Sequence, residues 1–204
     1  MKERPIIFSG PSVIQIQKNL KTQTRRVVKT APIDIVPFVT GPERKPTGEF
    51  GLCYHPRVIS KHVKCPYGDP GDHLWVRETL WVRREDPTEY YYAATDDVSY
   101  GGDAEWKKKA SIYCERIESR LLLEITDVRV QRIQEIDESD AQREGWAFEG
   151  LKPNQSYDPV TMDTARQWYR SEWDRLNAKR GFPWSANPWV WAISFKRITE
   201  VPHV

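Results

Sequence analysis

Apolar and polar residues alternate along His73-Leu74-Trp75-Val76-Arg77-Glu78. Leu74 and Val76 fall on one face, Trp75 and Arg77 on the other, and this period of two predicts a strand. Trp189-Val190-Trp191-Ala192-Ile193-Ser194-Phe195 has the same period, with Trp189, Trp191, Ile193 and Phe195 on one face of a closing strand. Arg4 to Ser9 predicts a first strand, and the Thr and Val content of Lys21 to Lys29 predicts a second. Tyr90 to Ala94 reads as another strand, and Arg120 to Ile133 is the longest β-like run.

Three segments carry a helical period instead. Ser12 is placed to cap a short helix through Asn19, with Val13, Ile16, Gln17 and Leu20 on one face. Asp137 caps a second short helix through about Glu144, and Gly145 ends it. The strongest pattern spans about residues 161–180: Met162, Ala165, Trp168, Tyr169, Trp173 and Leu176 recur at steps of three and four before Gly181 stops the helix. Residues from about 30 to 70 are rich in Pro, Gly and charge and show no period. They read as a long irregular insertion with one short hairpin at most. About six strands and three helices without regular alternation argue against a doubly wound parallel sheet. The expected class is α+β: a single domain over residues 1–204, built as a small, mostly antiparallel β-barrel with short flanking helices.

Composition narrows the function classes. Lys and Arg total 31 and Asp and Glu 29, a formal net charge of +2 over 204 residues, which excludes a histone-like polycation. The 15 prolines argue against a helical bundle. No apolar run is long enough for a membrane span, and no secretory signal follows Met1-Lys2-Glu3-Arg4-Pro5. Three cysteines form no dense framework, so a reducing cytoplasm is the expected compartment. Nine tryptophans fit core packing or, alternatively, base stacking.

The densest polar cluster at an element boundary is Lys21-Thr22-Gln23-Thr24-Arg25-Arg26. On an emerging strand, Thr22, Thr24 and Arg26 share a face with Lys21 at its rim. By residue type alone this is either an ordinary solvated strand start or a surface lined with two hydroxyls and a guanidinium.

The segment Asn19-Leu20-Lys21-Thr22-Gln23-Thr24-Arg25-Arg26 resembles the hallmark of the ASCH family, a branch of the PUA-like superfold: Gly-x-Lys, then Arg four residues later, after a short helix. Asn19 stands where the family usually has Gly; Asn is the next-best residue for a left-handed backbone. The resemblance continues through Pro70-Gly71-Asp72-His73-Leu74-Trp75-Val76-Arg77-Glu78-Thr79, then Leu123 to Ile136, Asp137 to Gly145, and Trp184-Ser185-Ala186-Asn187-Pro188-Trp189-Val190-Trp191. It is similar in particular to members encoded by bacteriophages and prophages. The resemblance implies a barrel whose cleft takes RNA or a nucleobase.

Some small members are amidohydrolases that remove acyl groups from the exocyclic nitrogen of modified cytidine, with N4-acetylcytidine as the type substrate. Their activity is attributed to a Lys, a Thr and a Glu, and the matching positions here are Lys21, Thr24 and Glu144. The chemistry implied needs no cofactor and no metal. A Thr hydroxyl needs a neighbouring base, and a desolvated Lys near another cation serves as one. Arg25 or Arg26 depresses the lysine or binds the ligand, and Glu144 orients Lys21, relays a proton or activates water. Arg77 and Glu78 are either an internal ion pair or, facing the cleft, readers of a base edge.

The alternative is a non-catalytic RNA- or nucleic-acid-binding module. Arg25, Arg26, Lys29, Arg44, Lys45, Arg57, Lys61 and Lys64 make the first third locally basic. A third reading is a protein-interaction surface in the Trp-rich C-terminal third. Cys53, His55, His62 and Cys65 have the inventory of a zinc site, but their spacing matches no familiar finger and no metal is expected. A monomer is expected.

Overall fold

A computed structural model describes residues 1–29, 34–40, 45–55, 58–96, 105–146 and 164–198, of which 34–40, 45–55 and 58–63 are described by backbone alone. The chain divides into two compact units. The first comprises Met1–Asn19, Pro66–Thr126 and Phe195–Val204, and the second Leu20–Cys65 and Asp127–Ser194.

In the first unit, strand β1 (Glu3–Ile7) leads into helix α1 (Gly10–Gln17). The helix starts earlier than its serine suggested. Ser9 takes the N-cap position, because Pro11 in the first turn lacks an N–H and has its φ already set for a helix. Val13 and Ile16 are buried, whereas Leu20 lies beyond the helix and is exposed. Asn19 has φ 57°, the left-handed turn expected of it.

β1 pairs in parallel with β6 (His73–Arg77), a departure from the antiparallel pattern elsewhere, and β6 pairs antiparallel with the start of β10 (Leu122–Arg132). The turn before β6 is fixed by Asp72, whose carboxylate accepts from Lys2 N (2.8 Å) and Arg4 Nη1 (3.1 Å). A second sheet has the order β8-β7-β9, with β7 at Leu80–Arg83, β8 at Tyr90–Tyr92 and β9 at Trp106–Lys109. Leu80, Val82 and Cys114 form its core with Tyr90 and Tyr92 packed on them. The sequence pattern missed β7 and β9. β7 is only four residues long, and Lys107, Lys108 and Lys109 of β9 form a charge run without apolar alternation. They occupy an edge strand, where charge discourages further pairing.

In the second unit, β2 (Gln23–Val27) pairs antiparallel with β11 (Trp189–Ile198) through Val190 to Ser194. The stretch expected to be irregular is a three-stranded antiparallel sheet of order β3-β4-β5, with β3 at Asp34–Thr40, β4 at Lys45–His55 and β5 at Val58–Lys64. Its register shifts between Pro37 and Val39 and again near Cys53, and such irregular pairing leaves no clean period of two.

Helix α2 (Glu138–Arg143) lies where the sequence put it. Helix α3 (Ala165–Asn177) is shorter than expected. Thr164 and Gln167 cap each other at its start, and a 3₁₀ turn at Ala178–Arg180 ends at Gly181, φ 87°. Met162 lies outside the described residues. Of the predicted stripe, Ala165, Tyr169 and Trp173 are buried with Ile133, Ile136, Ala141, Trp184 and Val190, and Leu176 is exposed. Val190, Trp191, Ala192 and Ile193 are all buried, so this part of β11 is covered on both faces rather than one.

The fold is α+β. No closed barrel is found among the described strands. No described helix is long and apolar enough to cross a membrane.

Candidate functional site

Two periodicities meet in the second unit. On β2, Gln23 and Arg25 are two residues apart and share a face. On α2 and its C-cap, Asp140 and Glu144 are four apart and also share a face. Asp137 starts that helix by accepting a hydrogen bond from Asp140 N (2.7 Å), and Gly145 leaves it with φ 101°. The backbones of Lys21 and Glu144 form an isolated antiparallel bridge, and Thr22 N donates to Arg143 O at 2.9 Å. The end of the helix is thereby fastened to the entrance of the strand.

The side chains complete a connected ionic network. Lys21 Nζ donates to Glu144 Oε2 (2.6 Å) and to the Glu144 backbone carbonyl (2.7 Å). Arg25 Nη1 donates to the other carboxylate oxygen, Glu144 Oε1 (3.0 Å), and to Gln23 Oε1 (2.7 Å). Arg25 Nη2 donates to Asp140 Oδ2 at 2.6 Å. Gln23 Nε2 donates to Asp140 Oδ1 (3.2 Å) and Ser194 Oγ (3.1 Å), and Arg129 Nη2 reaches both Asp140 oxygens (3.0 and 3.3 Å). Lys21, Gln23, Arg25, Asp140 and Glu144 are all buried. Buried charge is costly unless paired and hydrogen-bonded, and here each charged group meets an opposite one.

The electrostatics follow from this placement. Burial is the strongest influence on Lys21 and lowers its pKa; Glu144 opposes the shift, while Arg26 and Arg25 add to it. Burial works against ionisation of Asp140, but Arg25 and Arg129 outweigh it and hold the carboxyl below its ordinary value. Tyr169, buried on α3 with the Arg25 guanidinium 5.8 Å from its ring centroid, is pushed up by burial and by the Glu144 carboxylate. It stays a neutral phenol.

Of the residues singled out in the sequence, Lys21 and Glu144 are in direct contact. Thr24 is buried and pairs with Ile193 of β11, on the face of β2 opposite Gln23 and Arg25. Lys21 and Arg25 therefore meet Glu144 and Gln23 meets Asp140, rather than the face of 22, 24 and 26. Arg25 is enclosed rather than presented to solvent, whereas Arg26 is half-buried and its charge acts on Lys21.

Arg77 and Glu78 belong to the first unit and do not pair with each other. Glu78 is buried and accepts two parallel bonds from Arg120, at 3.0 and 2.9 Å, whose guanidinium lies 3.7 Å from the Tyr92 ring centroid. Arg77 lies over Trp75 and donates to Ile112 O. The side chains of Cys53, His55, His62, Arg44, Lys45, Arg57 and Lys61 lie outside the described residues. Among the described residues no cluster of three His, Cys, Asp or Glu is placed to hold a metal ion.

Sequence reasoning missed Gln23, Asp140, Arg129 and Tyr169. The readable signal was an i, i+2 pair of polar residues opposite an i, i+4 pair of carboxylates, which becomes a site only once strand and helix are brought together. Because the cap on α2 sets where Asp140 and Glu144 point, Asp137→Ala is expected to lower stability by about 1 kcal/mol. Urea denaturation measures it, and an unchanged midpoint contradicts the cap's role.

No protein-family model and no curated protein matches the sequence. Among solved structures the chain has a distant likeness to a protein of the DUF984 family from Enterococcus faecalis V583. That likeness covers 100% of this chain and 87% of the other, at 11% identity and a TM-score of 0.42.

Proposed function

We propose that the protein is an amidohydrolase that removes an acyl group from the exocyclic nitrogen of a modified cytosine base or nucleoside, with Lys21 and Glu144 at its reacting centre. The reading takes the chain as a PUA-like ASCH domain, on the order and spacing of the motifs quoted above. The observation that carries it is the double contact of Lys21 with Glu144. Glu144 accepts from Nζ through both its backbone carbonyl and Oε2, at 2.7 and 2.6 Å. Burial, the strongest influence, and two neighbouring guanidinium groups lower the Lys21 pKa, against the Glu144 carboxylate, which favours the charged amine.

In this scheme the Lys21 lone pair takes a proton from water as the water oxygen bonds to the acyl carbonyl carbon. Arg26, whose charge is felt at Lys21, is a cation that would offset the charge developing on the carbonyl oxygen. Collapse of the tetrahedral intermediate breaks the carbon–nitrogen bond, and the proton held on Nζ passes to the departing exocyclic nitrogen. The products are a carboxylic acid and the free cytosine amine. Thr24, the third residue the family resemblance names, lies on the face of β2 opposite Gln23 and Arg25, and the scheme gives the attack to water. Turnover retained in Thr24→Ala assigns the attack to water, and turnover lost assigns it to the hydroxyl.

The experiment is incubation with N4-acetylcytidine and its longer acyl homologues, followed by chromatographic detection of cytidine. Wild-type turnover is the expected result. No turnover across the series overturns the reading, and salt-sensitive binding to RNA would then favour a non-catalytic module.

A further inference from the structure

Glu144 can serve Lys21 only if its carboxylate is held in one orientation, and the groups that hold it lie one layer further out. Arg25 spans two carboxylates with one planar fork: Nη1 to Glu144 Oε1 at 3.0 Å and Nη2 to Asp140 Oδ2 at 2.6 Å. The fork leaves Oε2 of Glu144 to Lys21. Asp140 is itself fixed by Gln23 and Arg129, and by its place in the first turn of α2. The Arg25 side chain is 0% exposed, so it offers no surface to a ligand from solvent.

We propose that Arg25 and Asp140 are positioning residues: Asp140 fixes the Arg25 fork, and the fork fixes the Glu144 carboxylate with one oxygen turned to Lys21 Nζ. The proposal rests on the reading of Lys21 and Glu144 as the reacting pair, and it replaces ligand binding as the role of Arg25. A lysine at position 25 would keep the charge and lose the fork, since a compact ammonium does not reproduce the fixed two-pronged geometry.

The charges that bear on Lys21 come from each element around it. Arg25 and Arg26 lie on β2, and Asp140 and Glu144 on α2 and its cap. Glu172, which feels the Lys21 charge, and Tyr169, beside Glu144, lie on α3. Removing the guanidinium in Arg25→Gln takes a cation from beside Lys21 and leaves Glu144 to it alone. Removing the carboxylate in Asp140→Asn leaves the Arg25 charge less compensated. The two variants therefore shift the Lys21 titration in opposite directions.

The test has two arms. In the first, the full-length chain is labelled with ¹⁵N-lysine, the Lys21 Nζ resonance is assigned through its loss in Lys21→Arg, and its titration midpoint is followed without substrate. Arg25→Gln is expected to raise the midpoint by about one pH unit, and Asp140→Asn to lower it. An unmoved midpoint in both, or shifts of the same sign, overturns the proposal. Asp140→Asn keeps the test alive should Arg25→Gln fail to fold.

In the second arm, Arg25→Lys is assayed on N4-acetylcytidine. A fall in kcat of about tenfold or more with KM little changed supports positioning. A raised KM with unchanged kcat makes Arg25 a ligand-binding residue and overturns the proposal. Absence of wild-type turnover overturns the reaction assigned above, while the titration arm still decides whether Arg25 and Asp140 position the pair.

Discussion

Lys21→Ala is expected to lower kcat for deacylation by on the order of 10²–10⁴-fold, the range for loss of a positioned general base. A base works only when neutral, so wild-type kcat should rise with pH through the lowered pKa of Lys21 and then level off. Lys21→Arg sharpens the experiment. Arginine fills similar space and can still pair with Glu144, but it does not give up its proton in proteins. If Nζ acts as a base, Lys21→Arg is as inactive as Lys21→Ala and its far-UV circular dichroism and melting stay close to wild type. Activity restored by arginine would mean that position 21 supplies charge, not proton transfer. A profile that falls with rising pH would mean that the reaction needs the protonated amine.

Arg25→Leu is expected to destabilise the fold by about 3–5 kcal/mol, the cost of breaking a buried ionic network by removing the cation its two carboxylates share. Both Asp140 and Glu144 lose a donor, and neither is exposed enough for water to replace it. Guanidinium or urea denaturation reads the loss. The triple variant Arg25→Leu, Asp140→Asn, Glu144→Gln should recover part of it, because the penalty arises from unpaired charge rather than lost volume. Additive effects across the set would show that the network carries no coupling.

The same network sets an acid limb. Asp140 titrates below its ordinary value in the folded chain, so its contribution is present above about pH 4, the unfolded value. That contribution is lost as pH falls through the folded value. Arg25→Leu removes the strongest of the influences holding Asp140 down, and the acid limb should become shallower.

Local order was legible where one rule acted alone. Asp137 and Gly145 bracket α2 because a cap and a left-handed exit are local chemistry. β6, β10 and β11 follow from alternation and β-branched or aromatic content. The segment from about 30 to 70 defeated the same rules. Proline, glycine and charge obscured a three-stranded sheet whose pairing is a property of backbone groups, and whose register shifts break the period that side chains would otherwise display.

The site divides along the same line. Lys21 and Glu144 are singled out through the family resemblance, and the two periods that align Gln23 with Arg25 and Asp140 with Glu144 are written in the chain. Which face of β2 meets α2 is not. That is decided when the Lys21–Glu144 backbone bridge forms and the odd-numbered residues turn toward the helix. A strand gives equal standing to its two faces until a neighbour covers one of them. Burial, unlike periodicity, is a property of the whole packed unit. It makes an ordinary lysine a candidate base and an ordinary arginine the clasp between two carboxylates, because desolvation and opposing charge act only after distant segments have come together.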